Sequence, residues 1–218
     1  MSIHCYIYGE ARQSSAACSQ KMLGLLEASL AGAPFATLAI SGGLTPPLLF
    51  GEPAKAGFDW SRVHLFWVDE RGVPPTDPQS NYKLAKEHLI DPAGFPANNV
   101  PRIQAELELE TAARLYAEDI QKFLQPAPGA FPQFDIIHRW RRQPTSRSFT
   151  NGGSRCCRAY WRPLATLFML VAGGDKAEPL RTVLHEPYDP KRHPVQIATE
   201  DGRNVPWFLD QAAARLLN

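Results

Sequence analysis

The sequence predicts an α/β fold, with a mainly parallel open sheet and helices on both faces. Three observations predict it. Apolar runs such as residues 63–68 (Val-His-Leu-Phe-Trp-Val) and 166–172 (Thr-Leu-Phe-Met-Leu-Val-Ala) are too continuous for strands with one wet face. These runs alternate with segments of helical period, the pattern of strand–helix–strand units. Glycines follow directly on two of the strands, at Ser41-Gly42-Gly43 and at Gly173-Gly174. That edge, the carboxyl ends of the strands, is where parallel sheets hold ligands.

Residues 3–8 read as the first strand. Residues 12–31 read as a helix, with Met22, Leu23, Leu26 and Leu30 on one face. Residues 35–41 form the second strand, leading through the glycines into a short helix near Thr45-Pro46. Pro46 suits a first helical turn, where its missing N–H costs nothing. The third strand is 63–68. Helices are expected at 79–90 and 109–124, then a proline-rich loop at 126–132 and a short strand at 134–137. The strand at 166–172 runs into Gly173-Gly174-Asp175 and a helix through Leu184. A last helix is expected at 208–217. There is no internal repeat, and residues 1–218 read as a single domain.

The chain of 218 residues is 44% hydrophobic and carries a formal net charge of +1, enough apolar content for a full core. That balance predicts no global pull toward nucleic acid or membrane. No apolar run reaches the roughly 18 residues of a membrane span, and the N-terminus lacks a signal-peptide pattern. Cys5, Cys18, Cys156 and Cys157 lack metal-ligand spacing. The expectation is a cytoplasmic chain with no metal. The small net charge conceals an asymmetry. Residues 139–162 hold Arg139, Arg141, Arg142, Arg147, Arg155, Arg158 and Arg162 with no acid and no lysine, so the rest of the chain is net acidic.

The loop Ser41-Gly42-Gly43-Leu44-Thr45-Pro46 has the layout of a phosphate grip. Glycines admit an anion close to the backbone, and N–H groups of a helix start point at it. The plainer reading is a turn with Thr45 as an N-cap. A second segment, Trp67-Val68-Asp69-Glu70-Arg71-Gly72-Val73-Pro74-Pro75, leaves a buried strand carrying charges that are costly to bury unpaired. Arg71 offers a planar fork for a phosphate or carboxylate. Asp69 and Glu70 are placed to orient it, to bind sugar hydroxyls or to move a proton, and the plainer reading of Glu70 is a strand-end salt bridge. Ser80 and Asn81 open the next helix as caps or as ligand contacts. Lys176, in the first turn after Gly173-Gly174, is placed either to reach an anion or to sit in solvent.

These segments together resemble the 6-phosphogluconolactonase family. The likeness runs through residues 41–46, Asp59-Trp60-Ser61-Arg62-Val63, residues 66–75 and Asp77-Pro78-Gln79-Ser80-Asn81-Tyr82. It resumes at Val171-Ala172-Gly173-Gly174-Asp175-Lys176-Ala177 and in the tail at 201–210. The stretch from Asp69 to Tyr82 is its most specific part. Glucosamine-6-phosphate deaminases share the glycine loop but usually carry Asp-Glu-Tyr where this chain has Asp69-Glu70-Arg71. They stand second.

The resemblance implies a Rossmann-like sheet and hydrolysis of 6-phosphoglucono-δ-lactone to 6-phosphogluconate in the pentose phosphate pathway, with no cofactor. It implies that Ser41, Gly42, Gly43, Thr45 and Asn81 line a sugar-phosphate site to which Arg71 and Lys176 add positive charge. The partner expected is thus a small sugar phosphate, bound by a monomer or weak homodimer.

One region departs from the family. After the strand at 134–137 the family carries Gly-x-Gly-x-Asp-Gly-His-Thr-Ala-Ser-Leu-Phe-Pro, whose histidine is taken as the base that activates water. Here the strand runs into His138-Arg139-Trp140-Arg141-Arg142, and His138 does not match that histidine. The stretch 139–162 has neither helical nor strand period. Its arginine, proline, serine, glycine, cysteine and tryptophan are what GC-rich DNA yields out of frame. A shift of one nucleotide permits glycine at positions 139 and 141, histidine at 145, alanine at 147 and leucine at 149, the family spacing. The expectation is a frame disruption from about residue 138 to about residue 164, an impaired lactonase, and Asp69 as the only nearby substitute base. An alternative is a non-catalytic module binding a sugar phosphate, or RNA through the arginines.

Overall fold

The computed structural model describes residues 4–42, 46–51, 57–130, 132–139, 166–189, 192–193, 195–196 and 205–217. Within them a six-stranded parallel sheet has the order β1-β6-β5-β4-β2-β3. The strands are β1 (His4–Tyr8), β2 (Ala36–Ile40), β3 (Val63–Trp67), β4 (Ile136–Arg139), β5 (Thr166–Val171) and β6 (Pro206–Asp210). The helices are α1 (Ala11–Gly32), α2 (Pro46–Gly51), α3 (Asn81–Ala85), α4 (Asp91–Ala93), α5 (Leu109–Leu124), α6 (Ala177–His185) and α7 (Gln211–Ala214). A π-helical stretch, Lys86–Ile90, joins α3 to α4.

The path across the sheet fixes where a ligand can sit. From β2 the chain moves outward to β3, then returns to the far side of β2 for β4 and continues outward to β5 and β6. The direction reverses between β2 and β4, and their carboxyl ends form the switch point where parallel sheets hold ligands. Ile40 stands at this edge, beside Trp67 on β3 and His138 on β4.

The continuous apolar runs form the interior strands. All of β2 is buried, and so are residues 167–171 of β5. On β3 the two faces separate cleanly. His64 and Phe66 pack against Phe123 of α5, whereas Trp67 meets Tyr82 of α3. Alternate residues of a strand face opposite ways, so helices cover both faces. Helix α1 lies close to the sheet because its buried face includes the small residues Ser14, Ser15, Cys18 and Ser19. Ser19 Oγ donates to Leu49 O at 2.8 Å and ties α1 to α2. Arg62 caps the end of α1, donating to Leu30 O at 3.0 Å and Ala33 O at 2.6 Å.

The structure corrects two elements of the sequence reading. The helix expected at 208–217 is instead β6 followed by the single turn α7. Trp207, Phe208 and Leu209 are all buried, in a strand paired with β1 on one side and β5 on the other. A short apolar run does not distinguish strand from helix by period, and two flanking ladders favour the strand here. The strand expected at 134–137 lies at Ile136–Arg139, because Asp135 serves as a clamp. Its carboxylate accepts from Thr37 N at 2.8 Å and Thr37 Oγ1 at 2.7 Å, while Asp135 N donates to Thr37 Oγ1 at 2.8 Å.

Candidate active site at the carboxyl edge of the sheet

Ser41 and Gly42 follow directly on β2. Ser41 is buried, and its N–H donates to His138 O at 3.2 Å, extending the ladder by one bond. Gly43 and Thr45, expected to complete the phosphate loop, lie outside the described residues, as do residues 140–162 of the arginine-rich stretch.

The loop after β3 is organised by Glu70, which is only 2% exposed. Its Oε1 accepts from Arg71 N at 2.8 Å and Asn81 N at 2.7 Å. Its Oε2 accepts from Tyr82 N at 2.8 Å and Ser80 Oγ at 3.1 Å. Burial pushes the carboxyl pKa up, against the lowering effect of these donors. Glu70 is therefore not the salt bridge that its charge suggested, because backbone and hydroxyl donors satisfy it. It supplies the first N–H groups of α3 with an acceptor, while Ser80 Oγ accepts from Lys83 N at 3.2 Å as the N-cap.

Asn81 gathers the expected site residues. It is buried, and its Nδ2 donates to Asp69 O at 2.8 Å. Its Oδ1 accepts from Arg71 Nη1. The same carboxamide fills the space above Gly42, where any Cβ would collide with it. A side chain at position 42 would have to displace this carboxamide from its bonds to Asp69 and Arg71. Gly42, Asp69, Arg71 and Asn81 thus form one cluster, with Ser41 next along the chain.

Lys176 lies on the same edge of the sheet but belongs to a different group. It closes the turn Gly174–Lys176 that follows Gly173, and its ammonium pairs with Asp175. Gly173 has φ +100°, a conformation that favours glycine. Its N–H donates to Asp210 Oδ2 at 2.9 Å, and Asp210 Oδ1 accepts from Ala213 N at 2.7 Å at the start of α7. Asp210 went unrecognised in the sequence because it was read as a residue inside a helix. An acid immediately before the Gln211-Ala212-Ala213-Ala214 run was the available N-cap signal.

His138 is fully buried in β4, its ring tilted against Phe168 with centroids 5.2 Å apart, and neither ring nitrogen has a hydrogen-bond partner among the described residues. Burial depresses its pKa to about 3, so the ring is neutral. Its backbone reaches the carboxyl edge beside Ile40, but its ring is enclosed in the core.

The cluster presents a guanidinium fork held next to a glycine backbone, with a carboxylate residue, Asp69, at the same loop. That set can bind an anion and orient a polar substrate. Among the described residues no group of histidines, cysteines and acids could hold a metal ion, and no helix is long and apolar enough to cross a membrane.

The profile of the family described as glucosamine-6-phosphate isomerases/6-phosphogluconolactonase matches residues 9–138. The match stops one residue short of the arginine-rich stretch. A 6-phosphogluconolactonase from Synechocystis sp. is 30% identical over 203 residues, covering 83% of this chain and 84% of the relative. The solved 6-phosphogluconolactonase from Trypanosoma brucei has a TM-score of 0.75 at 18% identity, covering 100% of this chain and 99% of that one. A monomeric glucosamine-6-phosphate deaminase also has a TM-score of 0.75, at 13% identity, covering 98% of this chain and 100% of that one. The fold is therefore common to both activities. With the family profile matched over more than half of this chain and a relative 30% identical over 83% of it, this chain belongs to the glucosamine-6-phosphate isomerase/6-phosphogluconolactonase family.

Proposed function

We propose that this chain acts on 6-phosphoglucono-δ-lactone, hydrolysing it to 6-phosphogluconate, with turnover impaired by the sequence that follows His138. The observation that carries the reading is the identity of 30% over 203 residues to a relative named 6-phosphogluconolactonase. Arg71 adds to it, since deaminases of this family usually carry tyrosine there. In this reading residues 1–218 are one lactonase-like domain. Ser41, Gly42, Gly43 and Thr45 line the phosphate, Arg71 and Lys176 supply charge, and Asn81 orients Arg71. The enzyme works in the cytoplasm without a cofactor, as a monomer or weak homodimer.

Ester hydrolysis needs a base near the attacking water and donors for the developing oxyanion. The family's histidine-bearing motif is absent from this sequence. His138 is buried and neutral with its ring against Phe168, which leaves Asp69 as the nearest substitute base. A well-placed general base contributes about 10²- to 10⁴-fold. The expected kcat/KM is therefore about 10²-fold or more below that of the Synechocystis relative, while 6-phosphogluconate still binds in calorimetry. Turnover equal to the relative's would overturn the impairment. Failure of the chain to bind 6-phosphogluconate would overturn the substrate.

A further inference from the structure

The β3–α3 loop contains a buried carboxylate that the reaction proposed above does not use. Glu70 takes N–H groups from both ends of that loop, from Arg71 on one side and from Asn81 and Tyr82 on the other. A single oxygen, Oε1, holds the backbones of Arg71 and Asn81 together. The side chains of the same two residues then meet, Arg71 Nη1 on Asn81 Oδ1. Arg71 is thus tethered at its backbone and at its guanidinium, and both tethers lead to Glu70. The carboxamide of Asn81 also lies over Gly42, so the cation is held close to the end of β2.

Helix capping accounts for the bonds from Asn81 N and Tyr82 N, but not for the bond from Arg71 N at the other end of the loop. Ser80 already supplies the N-cap side chain of α3. Burying a carboxylate to accept these bonds carries a desolvation cost, which its upward-shifted pKa reflects. Holding Arg71 in one orientation is the return on that cost, because a preorganised fork loses less freedom when an anion binds.

We propose that Glu70 is a positioning residue that fixes Arg71 and Asn81 as one unit and so aims the Arg71 guanidinium at the phosphate of the substrate. This rests on the sugar-phosphate reading of the site. The test is a double-mutant cycle of Glu70→Gln and Arg71→Ala, read by calorimetric titration with 6-phosphogluconate and with gluconate. Glu70→Gln lowers affinity for 6-phosphogluconate about tenfold or more, the scale of a hydrogen bond to a charged group, and leaves gluconate unchanged. In the Arg71→Ala background it causes no further loss.

An equal loss with and without Arg71, or unchanged affinity for 6-phosphogluconate, overturns the inference alone. A wild-type chain that binds neither ligand overturns the substrate reading and this inference with it. Asn81→Ala repeats the cycle while leaving the backbone bonds to Glu70 in place, so it serves if Glu70→Gln fails to fold. Its loss must likewise be confined to 6-phosphogluconate and vanish without Arg71, and an additive result overturns the inference.

Discussion

The loops that leave β3 and β5 follow one plan and are anchored in opposite ways. Each runs from a buried strand through a tight turn to a helix, and each hangs on a buried carboxylate that accepts backbone N–H groups. In the β3 loop the carboxylate is Glu70, at most 12 residues from the donors it holds. In the β5 loop it is Asp210, on a different strand and 37 residues from Gly173. The cations differ accordingly. Arg71 meets buried Asn81, itself fixed to Asp69 and Glu70. Lys176 pairs with its sequence neighbour Asp175, whose side chain is 63% exposed. A cation tied to a buried network is preorganised for an anion. One paired with an exposed acid is screened and must exchange that partner when a ligand arrives.

The largest expected effect breaks the remote anchor. Asp210→Ala leaves the Gly173 and Ala213 N–H groups without their charged acceptor, a loss of about 3 kcal/mol. Calorimetric unfolding should report it as a lowered Tm. A loss under about 1 kcal/mol would mean that the β5 loop does not depend on β6, and the contrast would fall.

Between the two loops runs β4, where His138 makes an effect of intermediate size. Its folded-state pKa, about 3, lies below the ordinary value of 6.5. The unfolded chain therefore takes up the proton first as pH falls, and stability present above pH 6.5 is withdrawn. From pH 7.5 to pH 5 that withdrawal amounts to about 2 kcal/mol. Urea unfolding at the two pH values should show it, and His138→Phe should abolish this share of the pH dependence. If the variant keeps the full dependence, the strand between the loops is not acid-sensitive through this ring.

The smallest effect separates the two cations directly. Arg71→Ala should weaken 6-phosphogluconate binding about tenfold more than Lys176→Gln does, since Arg71 is tied into the buried network of Asn81 and Glu70. Equal losses in calorimetric titration would erase the difference between local and remote anchoring.

Much of the fold was legible where a local signal was complete. Helix α5 occupies Leu109–Leu124, the span its period indicated, and β3 and β5 fall within the apolar runs that announced them. Ser80 opens α3 as the cap its residue type suggested. Other features were misread because the deciding partner was distant or of unexpected kind. Residues 206–210 are a strand only because β1 and β5 lie on either side. Glu70 carried a charge and so suggested an ion pair, yet its donors are three backbone N–H groups and a hydroxyl. The close neighbour of Gly42 is a side chain 39 positions further along, which no local turn rule contains.

The sequence by itself determined the class of fold, and the family through the motif from Asp69 to Tyr82. These follow from periodicity and residue type, which act over a few residues and leave a written pattern. Only the tertiary structure decided which residues meet: Asn81 between Gly42 and Arg71, Asp210 beneath Gly173, and His138 shut inside the sheet. Those choices depend on burial and on hydrogen bonds between distant strands. In such places a carboxylate or imidazole must find its partners or remain without them, and that outcome is set by packing rather than by neighbours in the chain.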